Sequence, residues 1–209
     1  RGGGNGDSPM VVLAPANLQE AVDVMYDAFD IADQYRNPVM VLADGLIGQM
    51  MEPIVWKEHT PRALPDKTWA ADGRRGERDH NNFITSLLLE ADACEKRNIG
   101  LAAKFAEMEK NECRWEEIDT EDADVILVAY GTPSRIAQSA ADQLRKQGLK
   151  VGLLRPITVW PFPYARLREL ADGKCRGFMA VEMSQGQMVD DVRLAVGERK
   201  PVSFYGRCG

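Results

Sequence analysis

Several protein classes are excluded by what this sequence lacks. No apolar run approaches the roughly 18 residues that a membrane-spanning helix needs, and no basic start followed by an apolar stretch indicates a secretory signal. Acidic residues outnumber basic ones by 32 to 26, and the net charge of −6 has the wrong sign for binding mainly phosphate backbones or anionic lipid. We therefore expect neither a nucleic acid nor a membrane as partner. Because the chain starts at Arg1 rather than Met, we interpret it as a fragment.

Side chains that bind metals are also scarce. The four cysteines, at positions 94, 113, 175 and 208, form no CxxC pair, and only two histidines, His59 and His80, are present. Zinc and iron–sulfur sites need several ligands at short spacings, so we expect no such site within this chain. Scattered free cysteines are typical of a reducing cytoplasm, and we favour that interpretation over two disulfide bridges.

What is present is typical of a globular protein made of two units. Of the 209 residues, 44% are hydrophobic and 28% charged, as in ordinary folded domains. Residues 1–118 carry 13 basic and 21 acidic side chains, whereas residues 119–209 carry 13 and 11. This asymmetry, together with a polar stretch at 60–82, predicts two units joined by a connector.

The first unit has the pattern of a strand, a helix and a second strand. Residues 10–14 and 39–43 are short apolar runs that predict buried strands. Asn17 and Glu20 form a signal like a capping box at the start of the helix that lies between these two strands. A βαβ unit of this size predicts a parallel sheet. Helical spacing predicts that the buried face of the helix consists of Leu18, Ala21, Val22, Met25, Phe29 and Ala32.

Residues 44–53 follow the second strand, at the edge of the sheet where parallel sheets bind ligands. Gly45 and Gly48 would allow a sharp turn or a close approach, and Met50 is an adaptable apolar contact. Two interpretations remain: a loop that faces a cofactor or partner, and a loop that folds back over the core.

The second unit predicts an α/β domain with a mainly parallel sheet. A long helix at 82–110 leads into it as a connector. Strands follow at 125–130, 151–154, 177–181 and 202–205, and they alternate with helices that start at Thr132 and cover 164–171 and 187–196.

No complete catalytic set is present among these residues. The glycine-rich run 1–6 precedes a strand, so it is not a dinucleotide-binding loop. Gly131 and Thr132 lie between a strand and a helix, where they either bind an anion or simply cap the helix. Ser184 lacks the flanking glycine of a hydrolase elbow. Glu182 either binds a substrate or partner, or caps the next helix and pairs with Arg155.

The residue sequences of several segments resemble those of one family, the alpha subunit of the 2-oxoacid:ferredoxin oxidoreductases, in its 2-oxoglutarate and branched-chain 2-oxoacid branch. The resemblance covers nearly the whole chain. The segments that carry it are VLAP at 12–15, QEAV at 19–22, YRNP at 35–38, DGLIGQMMEP at 44–53, LVAYGT at 127–132, RPITVWPFP at 155–163, VEMSQGQM at 181–188 and FYGR at 204–207.

The resemblance implies a fold and a set of site residues. Residues 1–60 would end a pyrimidine-type thiamine-diphosphate domain, 61–118 would form the connector, and 119–209 would be a doubly wound, transketolase-C-terminal-like domain. No catalytic residue is transferred, because the family's activating glutamate has no match here. The candidates for facing the cofactor or the partner subunit are Gly45, Gly48, Gln49 and Met50; those for contacting a ligand or partner are Gly131, Thr132, Arg155, Glu182 and Gln185.

The resemblance also implies a reaction and partners. The family oxidatively decarboxylates a 2-oxoacid to an acyl-CoA and passes electrons to ferredoxin. Thiamine diphosphate with Mg would lie between alpha and beta subunits, and iron–sulfur clusters and coenzyme A would be bound through other subunits, including gamma and delta ferredoxin-type chains. We expect an oligomer in which this piece alone binds no cofactor and is inactive, with residues 1–6 mobile until assembly. The alternative is a non-catalytic α/β interaction or scaffolding module.

Overall fold

The computed structural model describes residues 6–74 and 78–208, which form two β-sheets with six helices packed around them. The expected mobility of residues 1–6 concerns positions that, except for Gly6, lie outside this range. The strands are β1 (Val11–Leu13), β2 (Val39–Val41), β3 (Trp115–Ile118), β4 (Val125–Val128), β5 (Val151–Pro156), β6 (Thr158–Trp160), β7 (Gly177–Glu182) and β8 (Val202–Gly206). The helices are α1 (Leu18–Tyr35), α2 (Gly45–Gln49), α3 (Ala91–Glu112), α4 (Gly131–Lys146), α5 (Tyr164–Asp172) and α6 (Met188–Val196).

The first sheet has the order β2-β1-β6, and its parallel β1–β2 pair confirms the expected βαβ unit. Asn17 caps α1 by accepting a hydrogen bond from the Glu20 amide at 2.8 Å, and the Glu20 carboxylate accepts one from the Ala16 amide at 2.7 Å. The helix ends at Arg36, which adopts a left-handed conformation with φ 46° just before Pro38. The capping signal in the sequence is therefore confirmed, because two of the free amides at the helix start have acceptors.

The buried face of α1 is not the one expected from the sequence. Val24, Ala28, Ile31 and Tyr35 face the sheet, together with Met108 from α3. The expected stripe instead faces outward: Met25 is 47% exposed and Phe29 is 70% exposed. The helix carries two apolar faces, and only one of them can lie against a sheet on one side, so helical spacing alone chose the wrong face.

The segment after β2 is a short helix and not the expected loop. Asp44 caps α2 by accepting a hydrogen bond from the Ile47 amide at 3.0 Å. Neither Gly45 nor Gly48 has a positive φ, and a Cβ at either position would meet open space. The glycines are therefore not used for a sharp turn within the chain, and the close approach of a cofactor or partner at this open space stays a prediction.

The connector helix starts later than expected. α3 begins at Ala91 and not near residue 82. The Thr85 hydroxyl accepts a hydrogen bond from the Leu87 amide, and such local bonds compete with helix formation. Within the helix expected at 82–110, Met108 near the end is buried, while Leu87 near the start is exposed.

The second sheet has the order β3-β5-β4-β7-β8, and β5, β4, β7 and β8 are parallel. Its two faces bury alternate residues: Ile126, Val128 and Phe178 lie under α5 and α6, whereas Leu127 and Leu153 lie under α4. This arrangement confirms the doubly wound α/β fold.

Two short strands were not expected. Both β3 on β5 and β6 on β1 pair antiparallel at a sheet edge, and β6 belongs to the second unit in sequence but to the first sheet in space. The domain boundaries at 60 and 118 therefore stay a prediction.

Residues 52–69, called the strap below, run along α1 without forming helix or strand. Its polar side chains bind α1 at nearly every turn. The contacts are Lys57 with Asp23 at 2.5 Å, His59 Nε2 with Asp30 at 3.0 Å, the Arg62 amide with Asp30 at 3.0 Å, Lys67 with Asp33 at 2.6 Å, and the Arg36 guanidinium over the Trp69 ring at 4.2 Å. Arg62 also reaches past α1 to Glu112, which is almost fully buried, with contacts at 2.6 and 3.0 Å.

Candidate functional site

A small cleft of about 190 Å³ lies where the carboxyl ends of strands from both sheets meet. β2 leads into it from the first sheet, and β4 and β7 lead into it from the second. This edge is where open parallel sheets bind ligands. The cleft is lined by Leu42, Ala43, Asp44, Tyr130, Gly131, Pro133, Glu182, Met183 and Ser184.

Asp44 connects the starts of two helices at this cleft. One carboxylate oxygen accepts the Ile47 amide of α2, and the other accepts the Thr132 amide of α4 at 3.3 Å. Burial alone would raise the pKa of the Asp44 carboxyl, but these amides outweigh it and hold the pKa below its usual value. The anion position predicted at Gly131 and Thr132 is thus taken by a carboxylate of the chain itself.

The start of α4 differs in detail from the expected cap. The helix begins at Gly131, with Tyr130 as the capping residue and no side-chain cap bond. Gly131 has φ 59°, a conformation that favours glycine. The Thr132 hydroxyl, expected as the cap, is buried beside Asp44 without the geometry of a hydrogen bond. Burial also raises the pKa of the Tyr130 hydroxyl, with Glu182 as a second cause.

Glu182 is a helix cap in this structure. It is buried and accepts hydrogen bonds from the amides of Gln187, Met188 and Val189 at 2.9–3.0 Å and from the Ser184 hydroxyl at 3.1 Å. All of these donors lie at the start of α6, so the capping alternative describes what this carboxylate does.

The expected pairing of Glu182 with Arg155 is wrong. Arg155 is buried on β5 and binds Glu20 with two nitrogens at 2.9 and 3.0 Å and Glu116 with a third at 2.8 Å. In the folded chain, Arg155 lies beside Glu20 of α1 and does not pair with Glu182. Spacing in the sequence does not reveal this proximity. It joins the two sheets instead of lining the cleft. Gln185 is exposed, with its amide nitrogen 3.4 Å from Cys208 Sγ.

The residues of α2 serve two purposes. Ile47 is only 2% exposed and anchors the helix to the core, whereas Gly45, Gly48 and Gln49 are exposed. Met50 is half-buried, and its sulfur lies 3.2 Å from a guanidinium nitrogen of Arg135. One side of α2 therefore covers the core and the other side is open, and the contact of the open side with a cofactor or partner stays a prediction.

Sequence reasoning missed the residue that organises this site. Asp44 connects the two helix starts, and an Asp that ends a strand just before a helix is a recognisable capping signal. Met51, two positions after α2, is 98% exposed and has the most open apolar side chain of the segment.

Exposed apolar side chains extend far beyond α2. They are concentrated between residues 25 and 99, and exposed apolar patches on a protein often mark an interaction surface. Members of this apolar surface are Met25, Tyr26, Phe29, Met40, Leu42, Leu46, Met51, Val55, Trp56, Phe83, Ile84, Leu87, Leu88, Leu89 and Ile99.

The cleft does not fit a diphosphate–magnesium group without help from another chain. The amides that would bind phosphate at the starts of α4 and α6 already bind Asp44 and Glu182. Within residues 6–74 and 78–208, no three side chains of His, Cys, Asp or Glu are grouped as metal ligands, and all four cysteines are free thiols. In the same ranges, no helix is both long and apolar enough to span a membrane.

The fold of this α/β protein is shared with two solved structures. A solved split-gene transketolase superimposes on 94% of this chain and 48% of its own with a TM-score of 0.51 at 16% identity. The 2-oxoglutarate:ferredoxin oxidoreductase from Magnetococcus marinus superimposes on 99% of this chain and 40% of its own, with a TM-score of 0.78 at 21% identity. Both show the fold.

The family follows from the sequence comparisons. Residues 3–107 match the thiamine-diphosphate-binding family of pyruvate flavodoxin/ferredoxin oxidoreductases, and residues 123–209 match pyruvate:ferredoxin oxidoreductase core domain II. The chain belongs to the 2-oxoacid:ferredoxin oxidoreductases, and the resemblance to their alpha subunit is confirmed.

Two curated relatives show the extent of the similarity. Ketoisovalerate oxidoreductase subunit VorB of Methanothermobacter marburgensis is 50% identical over all 209 residues, and 2-oxoglutarate synthase subunit KorA of Methanocaldococcus jannaschii is 30% identical over the whole chain. The chain spans 58% and 62% of their respective lengths.

Proposed function

We propose that this chain is the alpha-subunit part of an enzyme that oxidatively decarboxylates a branched-chain 2-oxoacid to its acyl-CoA. One observation carries the choice of substrate class. The chain is 50% identical to a ketoisovalerate oxidoreductase subunit but 30% identical to a 2-oxoglutarate synthase subunit, over the same full length.

The reaction balances without any oxidant beyond ferredoxin. The 2-oxoacid and coenzyme A react with two oxidised ferredoxins, and acyl-CoA, CO₂, two reduced ferredoxins and one proton are released. The carbon–carbon bond to the carboxylate breaks and a carbon–sulfur bond forms. Thiamine diphosphate with Mg would supply the carbanion chemistry in the complete enzyme, and iron–sulfur clusters in other subunits would carry the electrons.

The role of this chain is to position the helix starts around the cleft and to bind the beta subunit. Asp44 and Glu182 fix the starts of α2, α4 and α6 around the cleft by binding helix amides that could otherwise face a diphosphate. We therefore assign the diphosphate and its metal to the beta subunit. The exposed side of α2 and the apolar surface around it would contact that subunit, with gamma and delta ferredoxin-type chains completing a cytoplasmic enzyme.

The test is an assay of the complete enzyme. The full-length protein is coexpressed anaerobically with its companion subunits, and ferredoxin reduction is measured with coenzyme A and with 2-oxoisovalerate, 2-oxoglutarate or pyruvate. We expect kcat/KM to be highest for the branched-chain acid by about tenfold or more. A preference for 2-oxoglutarate would overturn the substrate class. Assembly without turnover of any 2-oxoacid would favour the scaffolding alternative.

A further inference from the structure

A second cleft, of about 370 Å³, lies between the end of α1 and the first half of α3, away from the strand ends. It carries a concentration of positive charge in a half of the chain whose net charge is −8. The residues that line it are Tyr35, Arg36, Lys96, Arg97, Gly100, Leu101 and Lys104. We call it the basic cleft.

Among the described residues, no carboxylate forms an ion pair with any of the four cations of the basic cleft. Other cations of the same half are ion-paired, namely Lys57, Arg62, Lys67, Arg78 and Arg114. Burial lowers the pKa of the Lys104 ammonium, and the charges of Arg97 and Arg36 lower it further. Uncompensated repulsion of this kind is relieved when an anion binds.

The geometry concentrates these charges on one side of a helix. Arg97, Gly100 and Lys104 are three and four positions apart on α3, so they share the face that looks toward Arg36. Gly100 leaves open space where a side chain would stand. Lys104 is held in place by Asn37, whose side-chain oxygen accepts its hydrogen bond at 2.9 Å.

An apolar cleft of about 340 Å³ adjoins the basic cleft and shares Leu101 and Lys104 with it. Its other walls include Met10, Pro38 and Phe105. A ligand that occupies both clefts would have an anionic end and an apolar or aromatic end. The concave shape favours such a small molecule over the flat surface of an acidic protein.

We propose that the basic cleft binds a small phosphate-bearing ligand, with its phosphate between Arg36, Arg97 and Lys104 and its apolar or aromatic part in the adjoining cleft. Guanidinium groups form paired, charge-assisted hydrogen bonds with phosphate oxygens, and an ammonium adds a point charge. The basic cleft is separate from the strand-end cleft, so the proposal does not depend on which 2-oxoacid is converted.

The test is lysine acetylation measured by mass spectrometry on the full-length protein in its assembly. The probes are inorganic pyrophosphate, ADP and adenosine at constant ionic strength. We expect pyrophosphate and ADP to slow acetylation of Lys96 and Lys104 by about fivefold or more, with ADP effective at lower concentration. Lys146, exposed on α4, is the internal control and should keep its rate.

Two variants separate this site from general charge effects. Arg97→Gln should abolish the protection of Lys104, whereas Arg168→Gln, an equal charge change on α5, should leave it intact. Protection that survives Arg97→Gln, protection by adenosine alone, or no protection by any probe would overturn the proposal. Lys104 that is unreactive in the assembly but reactive in the separated chain would assign the cations to a protein partner instead.

Discussion

The two halves of the chain bury their apolar side chains to different degrees. Residues 115–208 fold around a five-stranded sheet that helices cover on both faces, and few large apolar side chains remain exposed there. Residues 6–114 build a three-stranded sheet that needs a strand from the other half, and they carry most of the apolar surface. The second half therefore buries most of its own apolar side chains, whereas the first half leaves many of its apolar side chains exposed.

The halves also differ in how their polar contacts are used. In the second half, Glu182 satisfies the amides at the start of a helix. In the first half, charged side chains attach the strap to α1. The most buried ion pair of the strap joins Arg62 to Glu112 of α3. Each difference can be tested by replacing one side chain, and we expect the loss of unfolding free energy to be largest at Glu182 and smallest at Met51.

The largest loss is expected for Glu182→Ala. Three amides and one hydroxyl would lose their acceptor in a buried place, so the unfolding free energy in urea should fall by about 3 kcal/mol. Hydrogen exchange should speed up in α6 and stay unchanged in α1. Glu182→Gln keeps one acceptor oxygen and should lose less; equal losses for the two variants would show that the cap is not the cause.

Arg62→Ala should have a smaller and local effect. Glu112 would stay buried with only Arg114 and Tyr35 as partners, at a cost of about 2 kcal/mol. Trypsin should then cut the strap faster at Lys57 and Lys67, while the second sheet stays resistant. Arg176→Ala removes an exposed pair with Asp124 and is the matched control. Unchanged cleavage of the strap would mean that this pair does not hold it.

The lowered pKa of Glu117 leads to a prediction about how the unfolding free energy depends on pH. The hydrogen bonds from Arg166 lower the pKa of the Glu117 carboxyl from 4.5 to about 2. Because this pKa is lower in the folded state, the contribution, about 2 kcal/mol after solvent screening, is complete above pH 5 and is lost as the pH falls from 4.5 to 2.

A variant isolates this contribution of Glu117. Glu117→Gln should lower the unfolding free energy at pH 7 and flatten its decline below pH 5. Glu169→Gln removes an exposed partner of the same arginine and should leave the acid profile nearly unchanged. An acid profile of Glu117→Gln equal to that of the unaltered chain would contradict the assignment.

The smallest loss of stability is expected for Met51→Asp, since that side chain is almost fully exposed. The melting temperature should stay within error, but affinity for the companion subunits should fall by about tenfold, because a charge would enter an apolar contact. Met50 is a poorer site for this test, since it packs against Arg135. Ile47→Asp, one turn away and buried, should instead unfold α2. Unchanged assembly of Met51→Asp would exclude this segment from the interface.

The sequence predicted well what depends on neighbouring residues. The cap at Asn17, the stop before Pro38 and the strands and helices of the second half are local signals, and the structure confirms them. The strands β3 and β6 are short and lie at sheet edges, and β6 is bounded by prolines. Their pairing depends on partners far away in sequence, which no local pattern contains.

The site was harder to predict because its contacts cross the fold. The amide of Thr132 is bound by a carboxylate 88 positions away, and Arg155 binds Glu20 over a separation of 135. For α1, the sequence predicted one buried stripe, but the face that meets the sheet is set by packing and not by spacing. The outward face is available for another subunit, a role that the pattern cannot distinguish from burial within the chain.

The pairing of β6 with β1 has a consequence for synthesis on the ribosome. β1 and β2 are complete at Val41, but their third strand ends at Trp160, about 120 residues and roughly 6–24 s of translation later. Until β6 is made, the edge of β1 that it later covers stays unpaired, and an unpaired strand edge is prone to pair with another chain. Chaperones therefore have a long interval in which to bind it, and a ribosome that stalls before Trp160 would leave a product that is prone to aggregate.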